Sequence, residues 1–194
     1  ALSIKNSKIF NHASYGLFLY DEASVKGENL MVSRNGFHSL LVLKGAKFNF
    51  NHCNFLGYGS AQSPAIGIRN YFNDPNQTSI ISEGVIYNSI IGGSLETEII
   101  MDTIVDFPGQ LSFDIQHCFI QAEEEYNAPF YQNNIWRIEL DNTFDPLFNS
   151  VSDMDYGFSD QSPLQGNGFA SSVLFDIMGN LRNNPPDIGA IEQN

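Results

Sequence analysis

The sequence predicts an all-β protein, built as a parallel β-helix of about five coils that ends in an irregular C-terminal capping tail. Good helix formers are sparse, whereas the 194 residues include 21 Asn, 16 Gly and 16 Phe. Such a composition favours strands and turns. A six-residue pattern recurs over residues 1–140, and a tail of different character follows over residues 141–194.

The recurring pattern is an apolar residue, any residue, a turn-prone residue or His, often Ser or Cys, any residue and a final apolar residue. Its copies begin 21, 25, 36 and 29 residues apart, which indicates a basic period with insertions in the longer steps. The copies are Ile4–Ile9, Val25–Leu30, Phe50–Phe55, Ile86–Ile91 and Ile115–Ile120.

A second short apolar segment follows each of the first four copies, at Leu17–Leu19, Leu41–Leu43, Ile66–Ile68 and Ile99–Met101. Two short strands joined by a bend and closed by a return loop make one coil of a parallel β-helix. An antiparallel sandwich of about ten strands is the alternative. The in-phase recurrence of one pattern favours the solenoid.

The two cysteines occupy the same pattern position two coils apart. Stacked strands lie about 4.8 Å apart, so these residues are expected about 10 Å apart, beyond the roughly 7 Å limit for a disulfide. Cys53 and Cys118 are therefore predicted to be free, buried thiols. His52 and His117 share the bend position of Asn6 and Asn88, which predicts structural turn residues rather than a metal pair.

The tail contains Phe144-Asp145-Pro146-Leu147-Phe148, then Ser162-Pro163-Leu164, and closes on Pro186-Asp187-Ile188-Gly189-Ala190-Ile191-Glu192. This order resembles the C-terminal end of bacterial β-helix proteins of the pectin-lyase-like superfamily that carry a choice-of-anchor Q domain. The likeness covers about the last fifty residues. It departs at the usual SPAIDAG turn, which lacks its Asp here, and at Ile191, where Tyr is usual.

This resemblance implies a right-handed, single-stranded parallel β-helix from a secreted or cell-surface bacterial protein. The tail is expected to pack on the last coil and cover its apolar end with Leu147, Phe148, Ile188 and Ile191. Strand-like sequence begins directly at Leu2, which predicts that further coils precede this segment in a longer solenoid. Four charged residues are interpreted as a salt-bridged cap rather than a catalytic cluster: Asp176, Arg182, Asp187 and Glu192.

Charge and hydropathy exclude several classes of partner. The formal net charge is -13 with only nine Lys plus Arg, which opposes contact with nucleic acid or anionic lipid. No apolar run approaches the roughly 20 residues of a membrane-spanning helix. Phosphate-binding loops, zinc-binding Cys pairs and nucleophile elbows are also missing from the sequence.

Two further candidate sites involve charged groups. Lys5 and Lys26 are expected to stack on neighbouring coils, where cationic side chains could serve a polysaccharide lyase, although a solvated face is the simpler interpretation. Arg34 and Arg69 are placed on another face. In the first insertion, Asp74 could bind calcium together with nearby carbonyl groups, although one carboxylate is a poor case and a plain Asp-Pro-Asn turn is the favoured interpretation. No other cofactor is predicted.

The preferred candidate for ligand contact is the second insertion, where Glu124 is followed by Tyr126, Tyr131 and Trp136. Aromatic rings stack on sugars, and acidic and amide groups bond to sugar hydroxyls. The alternative is that Trp136 and Phe130 simply pack the last coil beneath the tail. The carboxylates do not establish a glycosidase pair, because such a pair is defined by its separation in space.

These observations lead to three hypotheses for function. The first is a carbohydrate-binding module of an exported or surface-displayed bacterial protein, with no catalysis within this segment. The second is the C-terminal part of a polysaccharide lyase or another glycan-active enzyme. The third is a structural spacer or adhesin stalk. The fold alone does not choose among them.

Overall fold

A computed structural model describes residues 1–71, 83–102, 112–138 and 148–193. These residues form an all-β structure without helices. The named strands pair in parallel, in a curled arrangement that is compatible with a β-helix. The strands are β1 (Leu2–Phe10), β2 (Leu17–Tyr20), β3 (Ser24–Ser33), β4 (Leu40–Leu43), β5 (Lys47–Asn51), β6 (Asn54–Gly57), β7 (Ile66–Arg69), β8 (Gly84–Tyr87), β9 (Ile90–Gly93), β10 (Ile99–Asp102), β11 (Phe113–Gln116), β12 (Phe119–Gln121), β13 (Tyr131–Gln132) and β14 (Ile135–Arg137).

The larger sheet consists of two stacks that meet at a bend. Strand β3 connects them, because its first half pairs with β5 and its second half pairs with β6. One stack continues from β5 through β8 and β11 to β13, and the other continues from β6 through β9 and β12 to β14. The smaller sheet has the order β10-β7-β4-β2.

The bend between the two stacks has the same backbone conformation in six successive strand segments of the described chain. One residue in each segment adopts a left-handed conformation, with φ between 48° and 55°. Asparagine tolerates this conformation better than most residues. The prediction that His52 and His117 share the asparagine position is confirmed. The six residues are Asn6, Asn29, His52, Asn88, His117 and Asn133.

The core lies between the sheets and contains stacked phenylalanines. Phe48 and Phe113 belong to strands on either side of β8, and their ring centroids are 6.0 Å apart. Gly84 lies between them in the register. A methyl group at Gly84 would lie 2.5 Å from the Phe113 ring and closer still to Phe48. The absence of a side chain at Gly84 therefore allows the two rings to stack.

The register of β3 differs from the predicted one by two residues. The sequence pattern aligned Val25 with Ile4, whereas the structure pairs Ile4 with Gly27 and Leu2 with Val25. In this repeat Gly27 occupies the position that is apolar in the other copies. The ring of Phe50 fills the space that a side chain would need, since a methyl group on Gly27 would lie 2.5 Å from that ring. Because Gly27 is not apolar, the sequence pattern placed the start of this copy at Val25, two residues earlier.

The segment Tyr131–Trp136 was interpreted as part of an insertion, and it is a further strand segment of the stack. Tyr131 pairs with Ile115, and Trp136 pairs with Ile120. Its sequence fits the same pattern, with Asn133 at the bend. The step from Ile115 to Tyr131 is only 16 residues, shorter than the steps of 21 to 36 residues between the predicted copies, so this repeat was assigned to an insertion.

The tail follows a course that differs from the predicted one. It was expected to fold over the last coil, but Phe148 and Ile188 join a buried cluster with Met31 and Phe119, which belong to strands far apart in the stack. The tail therefore lies along the side of the second stack. Ile191 packs against this cluster while partly exposed, and Leu147 lies outside the described residues.

Side chains of the bend hold the tail in place. Asn88 Oδ1 accepts a hydrogen bond from the Phe169 amide at 2.7 Å, and Asn29 Nδ2 donates to the Phe175 carbonyl at 2.7 Å. Asn54 Oδ1 accepts from the Ala190 amide at 2.9 Å. Asn29 and Asn88 at the bend, and Asn54 at the start of β6, thus satisfy backbone groups of the tail.

The described part of the chain contains no helix long and apolar enough to cross a bilayer.

Candidate functional site

The three aromatic residues predicted to contact a ligand lie together. The ring centroid of Tyr131 is 5.7 Å from that of Tyr126 and 5.3 Å from that of Trp136. Tyr126 and Trp136 meet edge to face at 5.5 Å. All three are partly buried against the main core. The alternative, that Trp136 and Phe130 pack the last coil beneath the tail, is correct only in part: both rings pack against the main core, which is not the cluster that the tail joins.

A cleft of about 370 Å³ opens beside this aromatic group. Tyr126 and Tyr131 line it, but Trp136 does not, and Glu124 lies outside the lining and is exposed. The remaining wall is apolar and comes partly from β10. The lining residues are Ile99, Ile100, Met101, Tyr126, Ala128, Phe130 and Tyr131.

The two phenols in the cleft are neutral hydrogen-bonding groups near neutral pH. Burial is the main reason that the pKa of Tyr126 is raised, and the charges of Glu124 and Glu123 add to the shift while Thr97 opposes it. Burial also raises the pKa of Tyr131. Glu124 therefore influences the cleft through its charge rather than by contact. This arrangement suits an apolar ligand face with a few hydroxyl partners.

The prediction that Lys5 and Lys26 stack on neighbouring strands is wrong. Lys26 pairs with Ser3, and Lys5 pairs with Glu28. The Lys5 ammonium lies 2.7 Å from the Glu28 carboxylate. The cause is the two-residue register error in β3. An ion pair thus occupies the place where two adjacent cations had been expected.

The two arginines placed on another face have unrelated partners. Arg34 donates to the Ser152 carbonyl at 3.0 Å and so contacts the tail. Arg69 lies 3.6 Å from the Asp102 carboxylate. Neither arginine adds to a basic cluster around Lys5 or Lys26.

The two cysteines are free and buried, as predicted. The Cys53 amide donates to Ser89 Oγ at 3.0 Å, so the strand segment of Ser89 separates the two thiols. Burial raises the pKa of each thiol to about 12. Thiolate chemistry at neutral pH is thereby disfavoured, and the cysteines act as small core residues.

The two bend histidines are also structural. His52 is fully buried, and burial is the main reason that its pKa is lowered to about 3, with a further contribution from the Arg182 charge. Asn88 lies between His52 and His117 in the stack. The His117 ring stacks on Phe169 of the tail, with centroids 5.1 Å apart. His117 therefore packs against the tail, whereas His52 contacts the stack, where its Nε2 lies 3.2 Å from Asn88 Nδ2.

The four charged residues of the tail have structural partners, as predicted, but only Arg182 and Glu192 form a salt bridge. Arg182 donates to Glu192 at 3.1 Å, and Asp176 accepts hydrogen bonds from the amides of Met178, Asn180 and Glu192. Asp187 accepts from the Gly166 amide at 2.7 Å. The carboxylates are occupied with backbone and guanidinium partners, which is a structural arrangement.

The calcium candidate Asp74 lies outside the described residues. Within the residues that are described, no three or more His, Cys, Asp or Glu side chains form a group suited to a metal ion.

The sequence interpretation missed an aromatic group on the outward face of the smaller sheet. Phe18 on β2 and Phe37 before β4 are each 49% exposed, and Tyr15 lies between them, 5.4 and 5.6 Å from their ring centroids. Tyr15 also stacks on His38 with an interplanar angle of 9°. The alternation Leu17-Phe18-Leu19-Tyr20 is the signal that could have identified an aromatic outward face.

Comparisons with known proteins give no match: no protein-family model, curated protein or solved structure is significantly similar to this chain.

Proposed function

We propose that this chain is a carbohydrate-binding module, built as a right-handed parallel β-helix within an exported or surface-displayed bacterial protein. The observation that carries the proposal is the cleft at the end of the smaller sheet. Its wall combines the rings of Tyr126, Phe130 and Tyr131 with apolar side chains. A sugar ring has apolar C–H faces and polar edges, and such a wall complements the faces while the phenols bond to the edges.

The supporting features of the fold are the parallel stacks and the repeated bend. They are compatible with the β-helix expected from the resemblance of the tail, and a solenoid would supply an extended rigid surface. The charge of -13 agrees with a ligand that is not strongly anionic.

A glycan array with the purified chain, run with and without calcium, tests the proposal. The matched variants are Tyr126→Ala in the cleft and Phe175→Ala on the tail, where the ring is 54% exposed. Binding to one glycan class that is lost in the first variant and retained in the second is the expected result. A blank array would contradict carbohydrate binding and favour the role of a structural spacer.

A further inference from the structure

The cleft is continuous with a row of outward-facing positions that crosses the smaller sheet. Phe18 pairs with Leu41, Leu41 with Gly67, and Gly67 with Ile100. Ile100 also lines the cleft. Three steps between parallel strands span about 14 Å. We refer to this row, with Tyr15, Phe37 and His38 beside it, as the outer strip.

The outer strip exposes apolar surface at both ends. Phe18 and Phe37 are each 49% exposed, and Ile100 is 46% exposed. The neighbours of these positions along each strand, such as Leu19 and Ile99, are buried in the core. Between the two ends Leu41 is only 7% exposed and Gly67 is buried, so the exposed side chains lie on one face of the sheet and are separated by covered positions.

The rings of the outer strip are aligned with one another. The planes of Phe18, Phe37 and His38 lie within 33° of the Tyr15 plane. His38 covers Gly67, because a methyl group at Gly67 would lie 3.0 Å from the His38 ring. The His38 ring thus covers the row at Gly67, where the strand has no side chain.

His38 adds a polar group to this apolar row. Its Nδ1 lies 2.7 Å from the Pro64 carbonyl. Burial is the main reason that its pKa is lowered, so the neutral ring donates from Nδ1 and keeps Nε2 as an acceptor. A sugar hydroxyl is a suitable donor to that acceptor.

Ion pairs border the strip, and their charges cancel. Lys44 lies 3.6 Å from Asp21, and Arg69 lies 3.6 Å from Asp102. Each pair presents donors and acceptors without a net charge. Hydroxyl groups both donate and accept, so they match this border, whereas a polyanion would find no excess positive charge.

These observations point to one ligand, and the inference rests on the function proposed above. We propose that a neutral, extended oligosaccharide crosses the strands along the outer strip, with one end in the cleft at Tyr126 and the other on Phe18 and Phe37. The aromatic faces bind the apolar sides of the sugar rings. The ion pairs and His38 bond to the hydroxyls.

The test measures binding by calorimetry against neutral gluco-, manno- and xylo-oligosaccharides of increasing length, with oligouronates as the charged comparison. The variants are Phe18→Ala and Phe37→Ala on the strip, Tyr126→Ala in the cleft and Phe175→Ala as the control. For the preferred series, affinity is expected to rise with chain length. Each strip variant should bind the longest member about tenfold more weakly and the shortest member unchanged.

The outcomes separate the two proposals. If Tyr126→Ala abolishes binding while the strip variants bind the longest member as tightly as the wild type, binding in the cleft is supported and binding along the outer strip is contradicted. If no series binds to the wild type, both proposals fail. Tighter binding of oligouronates than of neutral chains would overturn the neutral ligand. Thermal melting of each strip variant distinguishes lost contacts from lost folding.

Discussion

Arg182 donates to Glu192 at 3.1 Å, and both side chains are buried, with only 3% and 0% of their surface exposed. A second guanidinium nitrogen of Arg182 donates to Asn29 Oδ1 at 2.8 Å. Asn29 is a bend residue, so this contact connects the tail to the strand stack. The tail and the bend are therefore held together by one hydrogen-bonded network.

Replacing Arg182 with Met should destabilise the protein strongly, because the Glu192 carboxylate would remain buried without its partner. The expected loss is about 3 kcal/mol of unfolding free energy, measured by urea denaturation. The control is Lys5→Met, which breaks an ion pair with side chains 57% and 35% exposed and should change stability by under about 1 kcal/mol. Equal effects of the two variants would contradict a structural role for the buried pair.

The buried Glu98 should make stability depend on pH. Burial raises its pKa to about 7, although backbone amides, including those of Leu95 and Ala65, oppose the shift. Because this pKa lies above the unfolded value of about 4.5, the folded state binds more protons between these pH values. The unfolding free energy should therefore fall, by up to about 3 kcal/mol, as pH rises from about 4.5 to about 7.

Urea denaturation across this pH window, for the wild type and for Glu98→Gln, measures the effect. The variant should lose the Glu98 contribution to the slope, whatever its absolute stability. An identical slope in the two proteins would show that the pKa of Glu98 is the same in the folded and unfolded states, which would contradict the prediction.

Gly84→Ala should destabilise the core, because the new methyl group would overlap the rings of Phe48 and Phe113. A loss of about 2 kcal/mol is expected from overpacking of this kind. Gly92→Ala is the matched control, since its methyl group would lie 3.6 Å or more from other atoms. Thermal melting of both variants is the measurement, and comparable melting temperatures would refute the proposed ring stack.

The two thiols should be inaccessible in the native protein and both reactive after denaturation without reductant. Their burial and their raised pKa values protect them while the fold is intact. Titration with an aromatic disulfide reagent before and after adding guanidinium counts them. Detection of fewer than two thiols in the denatured protein would contradict the register, which places the segment of Ser89 between them.

Part of the candidate site followed from the sequence. Tyr126, Tyr131 and Trp136 are close in sequence, so a single return of the chain brings their rings together. The contribution of Ile99, Ile100 and Met101 to the same cleft was not predictable, because these residues reach it only through the stacking of β10 beside the later segments. Glu124 was included for its position in sequence, and the structure places it outside the cleft.

The sequence by itself determined the repeated bend, the separation of Cys53 from Cys118 and the division between strands and tail. These features depend on local backbone preference and on the spacing of like residues along one chain. Only the tertiary structure decided the register at Gly27, the course of the tail beside the second stack and the continuity of Phe18 with Ile100. The physical reason is that these features depend on which surfaces meet. Gly27 is required because the ring of Phe50 fills the space beside it. The row from Phe18 to Ile100 is formed by strands that are distant in sequence.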